Sequence, residues 1–255
     1  MPDISVNVPT RDGQAACVFF TPAGEGPWPG VVYFTDVWGI RPATREMAAR
    51  VAARGYAVLL PNIFYRTHTP PFDPLLTGGA RNREMVQSLL STMDADKMAR
   101  DGVCYVEYLL GRDDVRGQGA TASAGATNKK AAVVGYCFSG AMAVRTAAAA
   151  PDKVAAMASF HGGRLVTDQP DSPHTLISKI TAALYFGHAT QDQSMTAQQI
   201  AQLDAVLKGW GGTYQSEIYE GARHGWAVPG GDAYDVAQSE RHFEKLFDLL
   251  DRTLK

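Results

Sequence analysis

The sequence predicts an α/β fold: a mostly parallel, doubly wound sheet with helices on both faces and an antiparallel N-terminal edge. Three observations carry this expectation. Short apolar runs recur, as in Gly30 to Thr35 and Ala131 to Tyr136, of the kind found in strands covered on both faces. These runs alternate with stretches of helical spacing, the pattern of a sheet wound on both sides. The chain also opens on two extended runs separated by a turn, which suits a hairpin at the sheet edge. At 255 residues the length fits a single domain over 1–255.

The elements follow in order. Ile4, Val6 and Val8 alternate with polar residues, Thr10 to Gly13 supply a turn, and Ala15 to Phe20 resume as a second strand. Pro22 to Pro29 is a Gly/Pro-rich loop before the strand at Gly30 to Thr35. Pro42 suits a first helical turn, and Ala43 to Arg54 carries Met47 and Val51 four apart before stopping at Gly55. Tyr56 to Leu60 is a buried-strand run ended by Pro61. From 62 to 93 the pattern weakens, with a short helix expected over Asn82 to Leu90; such an excursion reads as a cap or loop over a pocket. Asp94 to Leu110 shows helical spacing at Met98, Gly102, Tyr105 and Leu109. The Gly/Ala/Ser/Thr-rich stretch 111–130 has little to bury and reads as a flexible surface loop. Beyond it come a strand at Ala131 to Tyr136, an Ala-rich helix to Ala150, and strands at Val154 to Phe160 and Thr181 to Phe186. A helix over Ala197 to Lys208, a strand over Gln215 to Tyr219 and an amphipathic helix over Asp232 to Leu250 complete the order. No internal repeat is visible.

Composition narrows the function classes. With 24 Lys+Arg against 26 Asp+Glu the net charge is −2, which removes the electrostatic case for a nucleic-acid partner or a polybasic membrane contact. No apolar run approaches the roughly 20 residues of a membrane span, and no secretory signal is visible, so a cytoplasmic protein is expected. The three cysteines, Cys17, Cys104 and Cys137, are spaced too widely for a zinc site, and an odd count argues against a disulfide framework. No phosphate-cradling GxxxxGK[ST] motif occurs. A small-molecule partner with no cofactor is the expectation, in a monomer or homodimer.

The sharpest local signal is Val134, Gly135, Tyr136, Cys137, Phe138, Ser139, Gly140, between a strand and a helix. A nucleophile on such a tight turn needs small neighbours, because the backbone is strained and the helix packs close. A thiolate there is favoured by unsatisfied N–H groups at the helix N-terminus. The alternative is a buried apolar cysteine, the role expected of Cys17 and Cys104. A nucleophile needs a base and a group that orients it. Of six histidines, His224 sits on a Gly-flanked loop just past a strand, where an imidazole can reach a nucleophile; His161 and His188 also follow strands and compete. Asp192, on the loop after Thr181 to Phe186, is the candidate acid, with Asp168 and Asp171 as rivals.

The sequence resembles the dienelactone hydrolase family of α/β-hydrolases, and the likeness runs from about Gly30 to the C-terminal helix. It rests on the Gly-Tyr-Cys turn at Cys137, the Gln191–Asp192 loop, the loop from Tyr219 to His224, and Thr35, Asp36, Val37, Trp38, Gly39, Ile40 after the first buried strand. The resemblance implies an α/β-hydrolase fold and an ester or lactone hydrolase working through Cys137, His224 and Asp192. It further implies an oxyanion hole from the backbone N–H groups of Val37 and Phe138.

Three positions depart from the family pattern. Asp36 stands where the family carries a glutamate that contacts the resting thiol; one methylene shorter, it could instead cap the helix at Arg41 and Pro42. Val228 replaces one substrate-binding arginine, whereas Arg83 aligns with the other. Ser139 replaces a glycine. Trp38, Tyr65 and Trp226 are expected to wall the substrate pocket. Two further readings are a non-catalytic binding protein that kept the fold, and a redox sensor using Cys137 with Cys17 or Cys104 as resolving thiol.

Overall fold

A computed structural model describes residues 2–69, 80–116 and 129–255, the side chains of 80–83 excepted. Among the described residues nine strands form one sheet: β1 (Asp3–Thr10), β2 (Gly13–Phe20), β3 (Trp28–Phe34), β4 (Ala57–Pro61), β5 (Val115–Arg116), β6 (Ala131–Tyr136), β7 (Val154–Phe160), β8 (Ala183–Gln191) and β9 (Tyr214–Arg223). Their order is β1-β2-β4-β3-β6-β7-β8-β9, with the two-residue β5 paired to the start of β3. Pairing is parallel from β4 to β9 and antiparallel for β1–β2 and β2–β4, so the expected antiparallel edge is present.

The α-helices of the described residues are α1 (Pro42–Ala53), α2 (Ala80–Ser91), α3 (Ala95–Leu110), α4 (Ser139–Ala149), α5 (Ala197–Trp210) and α6 (Val236–Leu254). Side chains of α3, α4 and α5 enter one core, with Phe34, Tyr105, Met142 and Leu203 among its members. Those of α1 and α6 enter the opposite core, with Val51, Tyr136, Phe160 and Leu250. The strand period of two sends alternate residues of β6 to opposite cores, Val133 to the first and Val134 to the second. Helix starts are locally encoded: Asp94 and Asp235 accept N–H bonds from Lys97 and Gln238, and Thr196 with Gln199 forms a reciprocal capping box on α5.

The structure departs from sequence expectation at several edges. The stretch 111–130 is not wholly loop, since Val115 and Arg116 pair with Trp28 and Pro29; residues 117–128 lie outside the described residues. A 3-10 helix over Pro173–Lys179 was not expected, and β9 runs four residues past Tyr219, to Arg223. Of the excursion 62–93, residues 70–79 lie outside the described residues, while α2 extends the expected helix by two residues at its start and one at its end.

Candidate active site

Cys137 stands on the turn between β6 and α4, and its backbone takes the left-handed φ of +56°. For a residue with a Cβ this conformation costs energy and persists only where the surroundings hold it. Here they do. The Cys137 N–H is shared between the Phe160 carbonyl and Nδ1 of His161, each at 3.1 Å, and the Cys137 carbonyl accepts the N–H groups of Gly140 and Gly163, also at 3.1 Å. Gly135 is required as well: a Cβ at that position would lie 2.2 Å from the Ser139 carbonyl oxygen. Ser139, the residue in place of a family glycine, is fully buried and uses its hydroxyl as a strap. Its Oγ accepts the Tyr136 N–H at 2.9 Å and has the Tyr136 and Phe34 carbonyls as acceptors at 3.0 and 3.3 Å.

The imidazole of His224 reaches this turn from the end of β9. Its Nε2 lies 3.0 Å from the Cys137 Sγ, and its Nδ1 lies 2.7 Å from Oδ2 of Asp192, at the end of β8. The other Asp192 oxygen accepts the Ser194 N–H at 2.8 Å and the Ser194 hydroxyl at 2.6 Å. That hydroxyl is also 3.2 Å from His224 Nδ1, so Ser194 touches both partners. Burial alone would push the Asp192 carboxyl up, but the bonds and charge of His224 and the two Ser194 donors outweigh it and hold the carboxyl below its ordinary value. For His224 burial acts to lower the pKa; the hydrogen bonds and charge of Asp192 and Cys137 overcome it and raise the ring to about 10. The chain thus brings together the three residues singled out from sequence.

The rival groups lie elsewhere. His188 is buried on β8, stacked against Phe186, and burial lowers it to about 4. His161 sits against the site but supports it from behind: Nδ1 accepts the Cys137 N–H, which assigns its proton to Nε2, and its ring stands edge-on to both His224 and Trp226. His161 was weighed as a competitor of His224 that could line the pocket or bond a backbone group, and its bond to the Cys137 N–H is of the second kind; its place directly after β7 is the signal that it faces the elbow. Ser194 was missed altogether, although a hydroxyl two residues after a loop carboxylate is a common local partner for it. Asp171 is exposed, and its main-chain carbonyl accepts a bond from Arg145.

Two clefts meet at Cys137 and His224. One, of about 320 Å³, is walled by Asp36, Val37, Trp38, His161, Val228 and Gly231 among others. The larger, of about 530 Å³, runs along α4 past Phe138 and Ala141 toward Arg145. Among the described residues neither the Val37 nor the Phe138 N–H has an acceptor. Asp36 does not contact the thiol. It forms a two-pronged ion pair with Arg41, at 2.6 and 2.7 Å, and accepts the Trp38 N–H, which fixes the loop carrying Val37. Trp38 lines the smaller cleft as expected. Two expectations need correction. Tyr65 lines neither cleft, because its hydroxyl bonds to Thr10 at the β1–β2 hairpin. Trp226 is fully buried, stacked on Tyr219 beneath His161, and likewise reaches neither. Arg83 falls in α2, and its side chain lies outside the described residues. Among the described residues no group of three or more potential ligands is placed to hold a metal ion.

Comparison with known proteins gives the family and the fold. The model of the dienelactone hydrolase family matches residues 15–254. The carboxymethylenebutenolidase of Rhodococcus opacus is 25% identical over 195 residues, covering 76% of this chain and 68% of that protein. A dienelactone hydrolase from Anabaena variabilis superposes with a TM-score of 0.69 at 16% identity, covering 100% of this chain and 99% of that one. A dienelactone hydrolase-like promiscuous phosphotriesterase from metagenomic libraries superposes with a TM-score of 0.78 at 20% identity, with both chains fully covered.

Proposed function

The chain belongs to the dienelactone hydrolase family, an α/β-hydrolase acting on ester or lactone bonds, and from that premise we propose a cysteine hydrolase with the triad Cys137, His224 and Asp192. The observation that carries this reading is the unbroken line of contacts from the Cys137 sulfur through the His224 ring to the Asp192 carboxylate.

The roles follow from the geometry. With the pair's proton already resting on the His224 ring, which is raised to about 10, the Cys137 sulfur attacks the carbonyl carbon of an ester or lactone. The carbonyl oxygen gains the negative charge and is held by the Phe138 and Val37 N–H groups, fixed donors that need no reorganisation as the charge develops. His224 Nε2 then protonates the departing alkoxide, leaving a thioester on Cys137. In the second half His224 takes a proton from water, the hydroxide attacks the thioester, and the Cys137 sulfur is released beside the protonated ring, which restores the starting pair. Asp192 accepts the Nδ1–H bond throughout, which keeps Nε2 facing the sulfur and stabilises the imidazolium. A ring raised to about 10 stays charged at neutral pH and can deliver its proton; that capacity fades as pH rises through 10.

The redox reading has less support. Cys17 is buried on β2, where burial raises its thiol to about 12, and Cys104 on α3 is also raised by burial, so neither is a ready nucleophile toward an oxidised partner. The test of the hydrolase reading is turnover of p-nitrophenyl acetate. Cys137→Ala abolishes it, falling at least 10³-fold below the wild type. Wild-type turnover in that variant overturns the assignment.

A further inference from the structure

The larger cleft ends on cations that the triad does not use. Cys137, Phe138, Ala141 and Arg145 follow one another along the start of α4, and the last three share one helix stripe at spacings of three and four. At about 1.5 Å rise per residue, the Arg145 backbone lies about 12 Å along the axis from the nucleophile, and its side chain leans back toward it. Between them the wall is apolar: Phe138 and Ala141 on α4, faced by Leu90, Met93 and Met98.

Arg145 is an unusual surface for such a cleft to end on. Its side chain is only 11% exposed, one Nη donates to the Asp171 carbonyl at 2.6 Å, and its Nε is buried with no partner. The Asp171 carboxylate comes no closer than 3.7 Å and is itself well exposed. Arg164, an exposed residue on the loop after β7, adds a second cation to the lining of the same cleft. The other acid on the wall, Asp94, is already taken by the Lys97 N–H and ammonium. Burial pulls the Arg145 pKa down, and the exposed Asp171 carboxylate at 3.7 Å offsets this only in part.

The geometry points to an acyl-chain subsite: the cleft along α4 takes an ester whose acid carries an apolar chain of about six methylenes and a terminal carboxylate received by Arg145 and Arg164. This rests on the hydrolase reading of Cys137 and adds the substrate class. It also supplies an anion anchor on different residues from the position where Val228 stands.

The experiment compares kcat/KM for the mono-p-nitrophenyl ester of octanedioic acid with that for p-nitrophenyl octanoate. The wild type prefers the carboxylated ester by about tenfold or more, as a charge-assisted contact in a sheltered cleft provides. Arg145→Gln cuts this preference ratio by about tenfold, and Arg164→Gln, at an exposed position, cuts it without risk to the fold. A short analogue, the butanedioic monoester, shows no such preference over the butanoate. A wild-type ratio near one, or a ratio unchanged in both variants, overturns the subsite. Calorimetric titration of Cys137→Ala with octanedioate and with octanoate separates the two claims, because it needs no turnover. Preferential octanedioate binding without esterase activity in the wild type sinks the hydrolase reading alone; hydrolysis without octanedioate preference sinks the subsite alone.

Discussion

At the scale of single residues, the site depends on a few polar atoms whose neighbours decide their charge. Ser194 is the least obvious of them. Its hydroxyl and N–H both donate to Asp192, and the hydroxyl also touches His224, so removing it leaves the carboxylate with one fewer donor and the ring less fixed. Ser194→Ala lowers kcat about tenfold with little change in KM, because an orienting bond is lost and substrate contact is not. Asp192→Asn is more severe, costing about 10³-fold or more in kcat, since an amide that donates toward Nδ1 favours the wrong tautomer. Steady-state kinetics on both variants checks these outcomes; unchanged kcat in Ser194→Ala contradicts the positioning role. Cys137, His224 and Asp192 were legible from sequence because each lies on a loop at a strand end in the order such sites use. Ser194 was not, because its bonds to Asp192 are local but gain meaning only through its contact with His224, 30 residues further on; nor was the particular partner of His161, the Cys137 N–H 24 residues before it. Tyr65 was misplaced for the same reason: an aromatic in an irregular stretch says nothing of which side it faces until its hydroxyl finds Thr10.

At the scale of elements, close helix and strand packing is what positions Cys137. Helix α4 lies against α3 at Gly102, where an added Cβ would fall 1.8 Å from Thr146 Oγ1. Gly102→Ala therefore destabilises the protein by about 3 kcal/mol through overpacking. Much of that loss is recovered in the double variant with Thr146→Ala, which removes the opposing hydroxyl. Urea unfolding of the four proteins of this cycle gives the coupling; additive losses contradict the contact. The central strands and helices were readable because burial on both faces makes β4, β6 and β7 nearly continuous apolar runs. The two-residue β5 was not readable, since Val115 and Arg116 carry no period of their own and are strand only by pairing with β3. The 3-10 helix at Pro173–Lys179 escaped for a similar reason, being too short for an amphipathic pattern.

At the scale of the whole molecule, three histidines are buried without charge. His161 is pushed well below its ordinary pKa by burial and by the other histidines; His188 falls to about 4, and His242 to about 3, chiefly through burial. Each has a folded pKa below its unfolded value near 6.5, so below pH 6.5 the unfolded chain binds more protons. The contribution of these three rings is full above that pH and is lost as pH falls toward 4, with a slope up to about 4 kcal/mol per pH unit for the three together. Thermal unfolding between pH 7.5 and 4.5 reads this directly, and a flat Tm contradicts it. Replacing His242 by Phe removes one proton from that slope while losing the Tyr136 hydroxyl bond. The same sheet that shelters these rings lines up the ends of β6, β8 and β9, where the Cys137, Asp192 and His224 side chains meet. The central claim is that the acyl group passes through the Cys137 sulfur, and the most direct measurement of it is an acid quench during turnover of p-nitrophenyl acetate, followed by peptide mass spectrometry. An acetyl group is expected on the peptide carrying Cys137, and on that residue. Continued hydrolysis with Cys137 unmodified at every time point, or with the acetyl on Ser139 or Ser194 instead, would contradict it.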